Sequence, residues 1–106
     1  MQFCKLEIFI PRTHLKQLQL VLQKVDAGHI GKYDSCLSYS EVIGTWRPLD
    51  GSKPYSGEQN IISQEVELKV EVRIKISKLD KTVEAVKKIH PYETPVINII
   101  PLLNEE

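Results

Sequence analysis

The chain has 106 residues, 42% of them hydrophobic and 26% charged, a composition that fits one globular domain and leaves no room for a second. Folding should remove roughly 65% of the surface the unfolded chain exposes, enough for a core without disulfide or metal staples. Fourteen Lys and Arg balance fourteen Asp and Glu without a basic cluster, so neither nucleic acid nor a membrane is an expected partner.

Phe3 to Ile10 alternates, with Cys4, Leu6, Ile8 and Ile10 on one side and Lys5 and Glu7 on the other, and predicts a first strand with one buried face. Two charges inside this apolar stretch argue against a signal-peptide core, and it is too short to span a bilayer, so a cytoplasmic location is the expectation. Pro11 ends the strand. Thr13 is placed to cap a helix over about His14 to Asp26, whose apolar stripe is Leu15, Leu18, Val21, Leu22 and Val25. Gly28 suits the left-handed position that closes such a helix, Gly31 turns the same loop, and His14 on the polar side should be solvated. Cys4 and Cys36 have no CxxC or Cys/His metal spacing and read as buried free thiols.

Ser35 to Tyr39 and Val42 to Leu49 read as an irregular strand pair or one strand bulged around Gly44, followed by a functional or disordered loop from Asp50 to Asn60. Glu65 to Ile76 then alternates strictly, with Val66, Leu68, Val70, Val72, Ile74 and Ile76 on one face. At ~3.3 Å per residue this strand reaches roughly 40 Å, so part of it should pair beyond the monomer's own sheet. Ser77 can cap a second helix, Lys78 to Ile89, which Pro91 stops at His90. Val96 to Ile100 makes the last strand, and its continuous apolar run predicts contact on both faces. The order β-α-β-β-α-β defines an α+β, ferredoxin-like sandwich: one domain over residues 1–106, an antiparallel sheet of order 4-1-3-2 and two helices on one face. Strand three then separates Cys4 from Cys36, and no disulfide can form.

Three polar, glycine-bearing segments are not needed by the core: Gly28 to Tyr33, Gly44 to Leu49 with the loop to Glu58, and His90 to Pro95. The GxxG pair, Gly28 and Gly31, can let a phosphate approach backbone N–H groups, although closing a helix explains the same glycines. His90 and Glu93 can bind a metal or act as an acid and base, but they are too few ligands unless a neighbouring subunit adds others. A histidine ending a helix also interacts with the helix dipole, and Tyr92 can simply pack the strand entry. Trp46 reads as a core or interface anchor, and Arg47, on the opposite strand face, as a contact for an anion or for Glu58. No serine or cysteine sits in a nucleophile motif, so no catalytic residue is assigned. The expected ligand-binding set is Gly28, His29, Gly31, Tyr33, Arg47, Glu58, His90, Tyr92 and Glu93, converging on one concave surface in the assembled protein.

Taken together, GHIGKYDSC, GTWRPLDGSKPYSGE and HPYETP resemble the YqfO domain, which occurs inserted in the Nif-three family of dinuclear-metal proteins and as short free-standing chains. The resemblance runs from Lys5 to Leu102, with Ser56 standing where that domain tends to place an apolar residue. The HPYE string is shared with CutA-type proteins, similar in fold to the PII signalling proteins. The resemblance therefore implies a CutA/PII-like homotrimer with clefts between subunits. The metal-binding residues of the Nif-three family lie in the halves flanking the insertion, so a hydrolase or cyclohydrolase label finds no residues here. The expectation is a non-enzymatic ligand-binding or regulatory module whose clefts take a small anion, a nucleotide-like ligand or a divalent metal, the last admitted by the sequence without being required. The alternative is a weak metal-dependent hydrolase using His90 and Glu93 with His29 of a neighbouring subunit.

Overall fold

The computed structural model describes residues 2–103. Its elements are β1 (Phe3–Ile10), α1 (Leu15–Lys24), β2 (Ser38–Trp46), β3 (Ser63–Lys75), α2 (Leu79–Ile89) and β4 (Ile97–Pro101), with a short 3-10 turn leading into each helix. All pairings are antiparallel and the strand order is β2-β3-β1-β4, the predicted ferredoxin-like arrangement. Among the described residues no helix is long and apolar enough to cross a membrane.

The alternation seen in the sequence builds the core directly. Cys4, Leu6, Ile8 and Ile10 of β1 pair in register with Ile74, Val72, Val70 and Leu68 of β3, and all are buried. Leu18 and Leu22 of α1 and Val86 of α2 close over that face. Thr82, fully buried on α2, donates its hydroxyl to the Lys78 carbonyl at 2.7 Å, which makes its burial tolerable. On the uncovered face Lys5 pairs with Glu71 at 2.6 Å and with Glu7 at 3.4 Å, and Lys69 with Glu7 at 3.5 Å. Cys4 and Cys36 are free, as the strand order requires, although Cys36 is only half-buried.

Several sequence expectations are corrected, among them the cap of α2, where Lys78 and not Ser77 holds the N-cap position and no side chain bonds the first turn. Thr13 does not cap α1: its hydroxyl lies 3.0 Å from His14 Nδ1, and Pro11 precedes a 3-10 turn instead. The helix closes two residues earlier than expected, because Asp26, at φ 60°, takes the left-handed position, with Asp26 N–H bonding Gln23 O and Ala27 N–H bonding Leu22 O. Gly28 has a different duty. At φ 76° its N–H donates to Arg73 O and its carbonyl accepts from Cys36 N–H, so close that a Cβ would collide with the Cys36 carbonyl oxygen. The second strand is one regular element without a bulge; Gly44 sits in register opposite Glu65 and leaves the space that the Glu67 carboxylate fills. Finally, β4 is an edge strand whose Ile99 and Ile100 are exposed, because only β1 pairs with it and the helices reach no further than Ile97.

The length of β3 is shared between two neighbours. Leu68 to Lys75 pairs with β1, while Ser63 to Glu71 pairs with β2, so beyond Ile10 only the two strands β2 and β3 continue. They form an arm whose helix-side face presents the partners Ile43 and Val66, 66% and 60% exposed.

Candidate functional site

The predicted segments fall at two places in one protomer. Phe3 borders one of them, and the Phe9 carbonyl holds His90 beside the other. Six residues of extended chain, about 20 Å, separate them.

At the base of the arm, a cavity of about 360 Å³ is lined by Trp46, Arg47, Tyr55, Tyr92 and Glu93 together with the loop after β2. Here Trp46 and Arg47 border the same space instead of opposite faces, because β2 ends at Trp46 and the strand alternation ends with it. Trp46 and Tyr92 lie 6.5 Å apart, Tyr55 and Tyr92 6.0 Å, and His14 meets the edge of Tyr55 at 6.0 Å, which leaves His14 half-buried instead of solvated. The loop is held by its own bonds: Trp46 Nε1 donates to Ser56 O at 3.2 Å, and Asn60 Nδ2 to Asp50 Oδ1 at 2.7 Å. Ser56, where an apolar residue was expected, gives its hydroxyl to the Glu65 carboxylate. Glu93 accepts from Lys53 N–H at 2.9 Å and so ties the His90–Pro95 turn to this loop. Glu58 is exposed and forms no ion pair with Arg47 among the described residues.

His90 supports the cavity from behind. It is 8% exposed, its Nε2 donates to Phe9 O at 2.7 Å, and its Nδ1 accepts from Tyr92 N–H at 3.2 Å. One nitrogen must carry a proton and the other must not, so the ring is neutral, and burial accordingly lowers its pKa from 6.5. Tyr92 donates to Glu67 Oε2 at 2.9 Å, and burial followed by that carboxylate raises the phenol's pKa. With both His90 nitrogens committed and Glu93 bonded to backbone, the residues do not fit a divalent metal. Among the described residues no group of three or more His, Cys, Asp or Glu is arranged to hold one. His29 of the same protomer stands at the far end of the sheet.

There, Gly28, His29 and Gly31 border a second cavity, of about 500 Å³, with Asp26, Arg73, Lys75 and Lys78. Tyr33 is exposed and holds the loop by a two-way backbone bridge to Ile30, at 2.8 and 2.9 Å. Sequence reasoning missed Ser52 and Tyr55 in the first cavity and Arg73, Lys75 and Lys78 in the second. Within the alternating strand, Arg73 and Lys75 had the look of a solvated face; the signal was the turn from acidic to basic residues toward its end.

The fold is of the CutA- and PII-like kind. It matches CutA from Archaeoglobus fulgidus with a TM-score of 0.72, at 18% identity over 98% of this chain and 87% of that one. GlnK from B. subtilis matches with a TM-score of 0.62, at 18% identity over 94% of this chain and 86% of that one. At such identities these likenesses speak for the fold alone. In sequence the chain is similar to proteins named GTP cyclohydrolase 1 type 2 homolog. It is 40% identical over 101 residues to that of Halalkalibacterium halodurans, covering 95% of this chain and 27% of that protein. A structure of a Bacillus cereus protein related to NIF3 matches with a TM-score of 0.85 at 31% identity, covering 97% of this chain and 26% of that one. The chain thus spans about a quarter of the length of these relatives, a likeness that agrees with the resemblance its three motifs carry. No family model matches the chain.

Proposed function

We propose that this chain is a non-catalytic ligand-binding module that works as a homotrimer and takes a nucleotide-like small molecule, a planar ring carrying an anion, in the aromatic cavity at the base of the arm. Its fold fits a small regulatory module. The chemistry of the cavity carries the reading: Trp46, Tyr55 and Tyr92 supply ring faces, and Arg47 stands at the rim with no salt-bridge partner among the described residues. The Ser52 hydroxyl, buried against the same space, has no hydrogen-bond partner there. A few polar groups converging on an apolar wall within 300–1,000 Å³ are the usual makeup of a small-molecule site.

Assembly is supported by the arm. One of its faces is packed by the Tyr92 turn, while Ile43 and Val66 stand uncovered on the other, and β4 presents Ile99 and Ile100 at the opposite edge of the sheet. A two-stranded ribbon with a bare apolar face is marginal alone, and closed threefold packing covers such faces and edges.

Trp46 is the sole tryptophan, so its fluorescence reports on this cavity. Titration with mononucleotides should give saturable quenching, and Arg47→Ala should weaken it about 10- to 100-fold, the scale of a hydrogen bond to a charged group. No quenching by any mononucleotide at millimolar concentration, with the assembly intact, overturns the ligand assignment.

A further inference from the structure

The second cavity has a chemistry of its own. We propose that it is an oxyanion site, separate from the aromatic cavity, in which Arg73, Lys75 and Lys78 hold a phosphate group against the Gly28–Gly31 loop.

The loop is tied to the end of β3: Gly28 N–H donates to Arg73 O at 3.0 Å, and Ile30 and Tyr33 bridge each other's backbones. The Arg73 guanidinium lies over the Phe3 ring, 3.8 Å from its centroid. Its Nε and Nη2 are buried and have no acceptor among the described residues. These two N–H groups share one edge of the guanidinium and form the fork that matches two oxygens of a phosphate or carboxylate. A buried charged donor without an acceptor is unfavourable, and an oxyanion in the cavity that Arg73 lines would relieve it once the side chain turns its edge outward.

The neighbouring charges favour a doubly charged ligand. His29 Nδ1 lies 2.9 Å from Asp26 Oδ1 and its Nε2 2.9 Å from Gly31 O. Both partners are acceptors, so both nitrogens must donate and the ring is an imidazolium, the reverse of His90. Lys78 Nζ holds the other Asp26 oxygen at 2.9 Å. Arg73, Lys75, Lys78 and protonated His29 thus face Asp26 and the more distant Asp34, a surplus of positive charge at the cavity. The aromatic cavity, by contrast, brings Arg47 together with Glu93. The basic residues arrive from β3 and the 3-10 turn before α2, and the glycines from the loop after α1, so no continuous motif in the sequence announces the site.

The test is a titration of the intact chain with inorganic phosphate and, in a second arm, with ATP, followed through the Arg73 Nε–Hε resonance. Saturable shifts with both are expected at low millimolar affinity or better, on the order of 1 mM. ATP binding here through its phosphates alone should not be changed by Arg47→Ala. Arg73→Lys, which keeps the charge and removes the fork, should weaken phosphate at least about tenfold, and the exposed Lys75→Glu should do so without disturbing the fold. Arg73 shifts with ATP but none with inorganic phosphate would overturn a site that reads the phosphate group alone. Phosphate binding unaltered by Arg73→Lys and Lys75→Glu, or the absence of any shift, overturns the proposal while leaving the Trp46 quenching result untouched.

Discussion

His90→Ala separates a structural histidine from a metal ligand. The substitution leaves the Phe9 carbonyl and the Tyr92 N–H without their partner and removes a ring packed 4.8 Å from Tyr92. An unsatisfied buried polar group costs about 1–3 kcal/mol, so a loss of ~2–4 kcal/mol is expected near pH 7.5. For a domain of this size that is a fall in Tm of roughly 10–20 °C. The pH dependence adds a second signature. Burial lowers the folded imidazole's pKa below the ordinary 6.5, so between the two values the unfolded chain holds the extra proton. Stability therefore rises with pH: the contribution is complete above about 6.5 and is lost as pH falls toward the folded pKa. Thermal melts from about pH 7.5 down to about pH 5 should show this loss in the wild type and its absence in His90→Ala. Added zinc should act alike on both. A change in Tm under about 3 °C, or zinc stabilising the wild type alone, would refute the reasoning.

His29→Gln should show the opposite pH dependence. Its hydrogen bond to Asp26, then that to Gly31 O, raises the folded pKa above 6.5, so its stabilisation is complete below that value and is lost as pH rises through the folded pKa. The Tm difference from the wild type should shrink between about pH 6 and about pH 9, and a difference that grows instead contradicts the imidazolium assignment. Gly28→Ala places a Cβ against the Cys36 carbonyl at φ 76° and should lower stability by more than about 1–2 kcal/mol; an unchanged urea midpoint counts against the close approach. Ile43→Glu charges an exposed position on the arm and should leave the monomer fold intact while lowering the mass seen in sedimentation to that of one chain, 12.2 kDa. An undissociated assembly would show that the arm is not the contact.

Much of the fold was legible because alternation is a local signal. Cys4 to Ile10 and Leu68 to Ile74 bury every second residue as their pattern foretold, and both helices fall where the 3.6-residue stripe placed them. What local pattern could not show was how one element conditions another. Gly44 looked like a bulge because its reason, the room it leaves for Glu67, lies on the neighbouring strand. His90 looked like a ligand because its two partners, Phe9 O and Tyr92 N–H, become neighbours only in the fold. Within one protomer Arg47, Tyr92 and Glu93 border one cavity, while the Gly28–Gly31 loop, at the other end of β1, lies beside Arg73.

Native mass spectrometry of the chain at micromolar concentration, with a mononucleotide present, tests the central claim most directly because it reads assembly and occupancy together. The account predicts a trimer of about 37 kDa carrying up to three nucleotides, with occupancy lost in Arg47→Ala and the trimer kept. A bare monomer, or a trimer that takes up nucleotide equally well in Arg47→Ala, would contradict it.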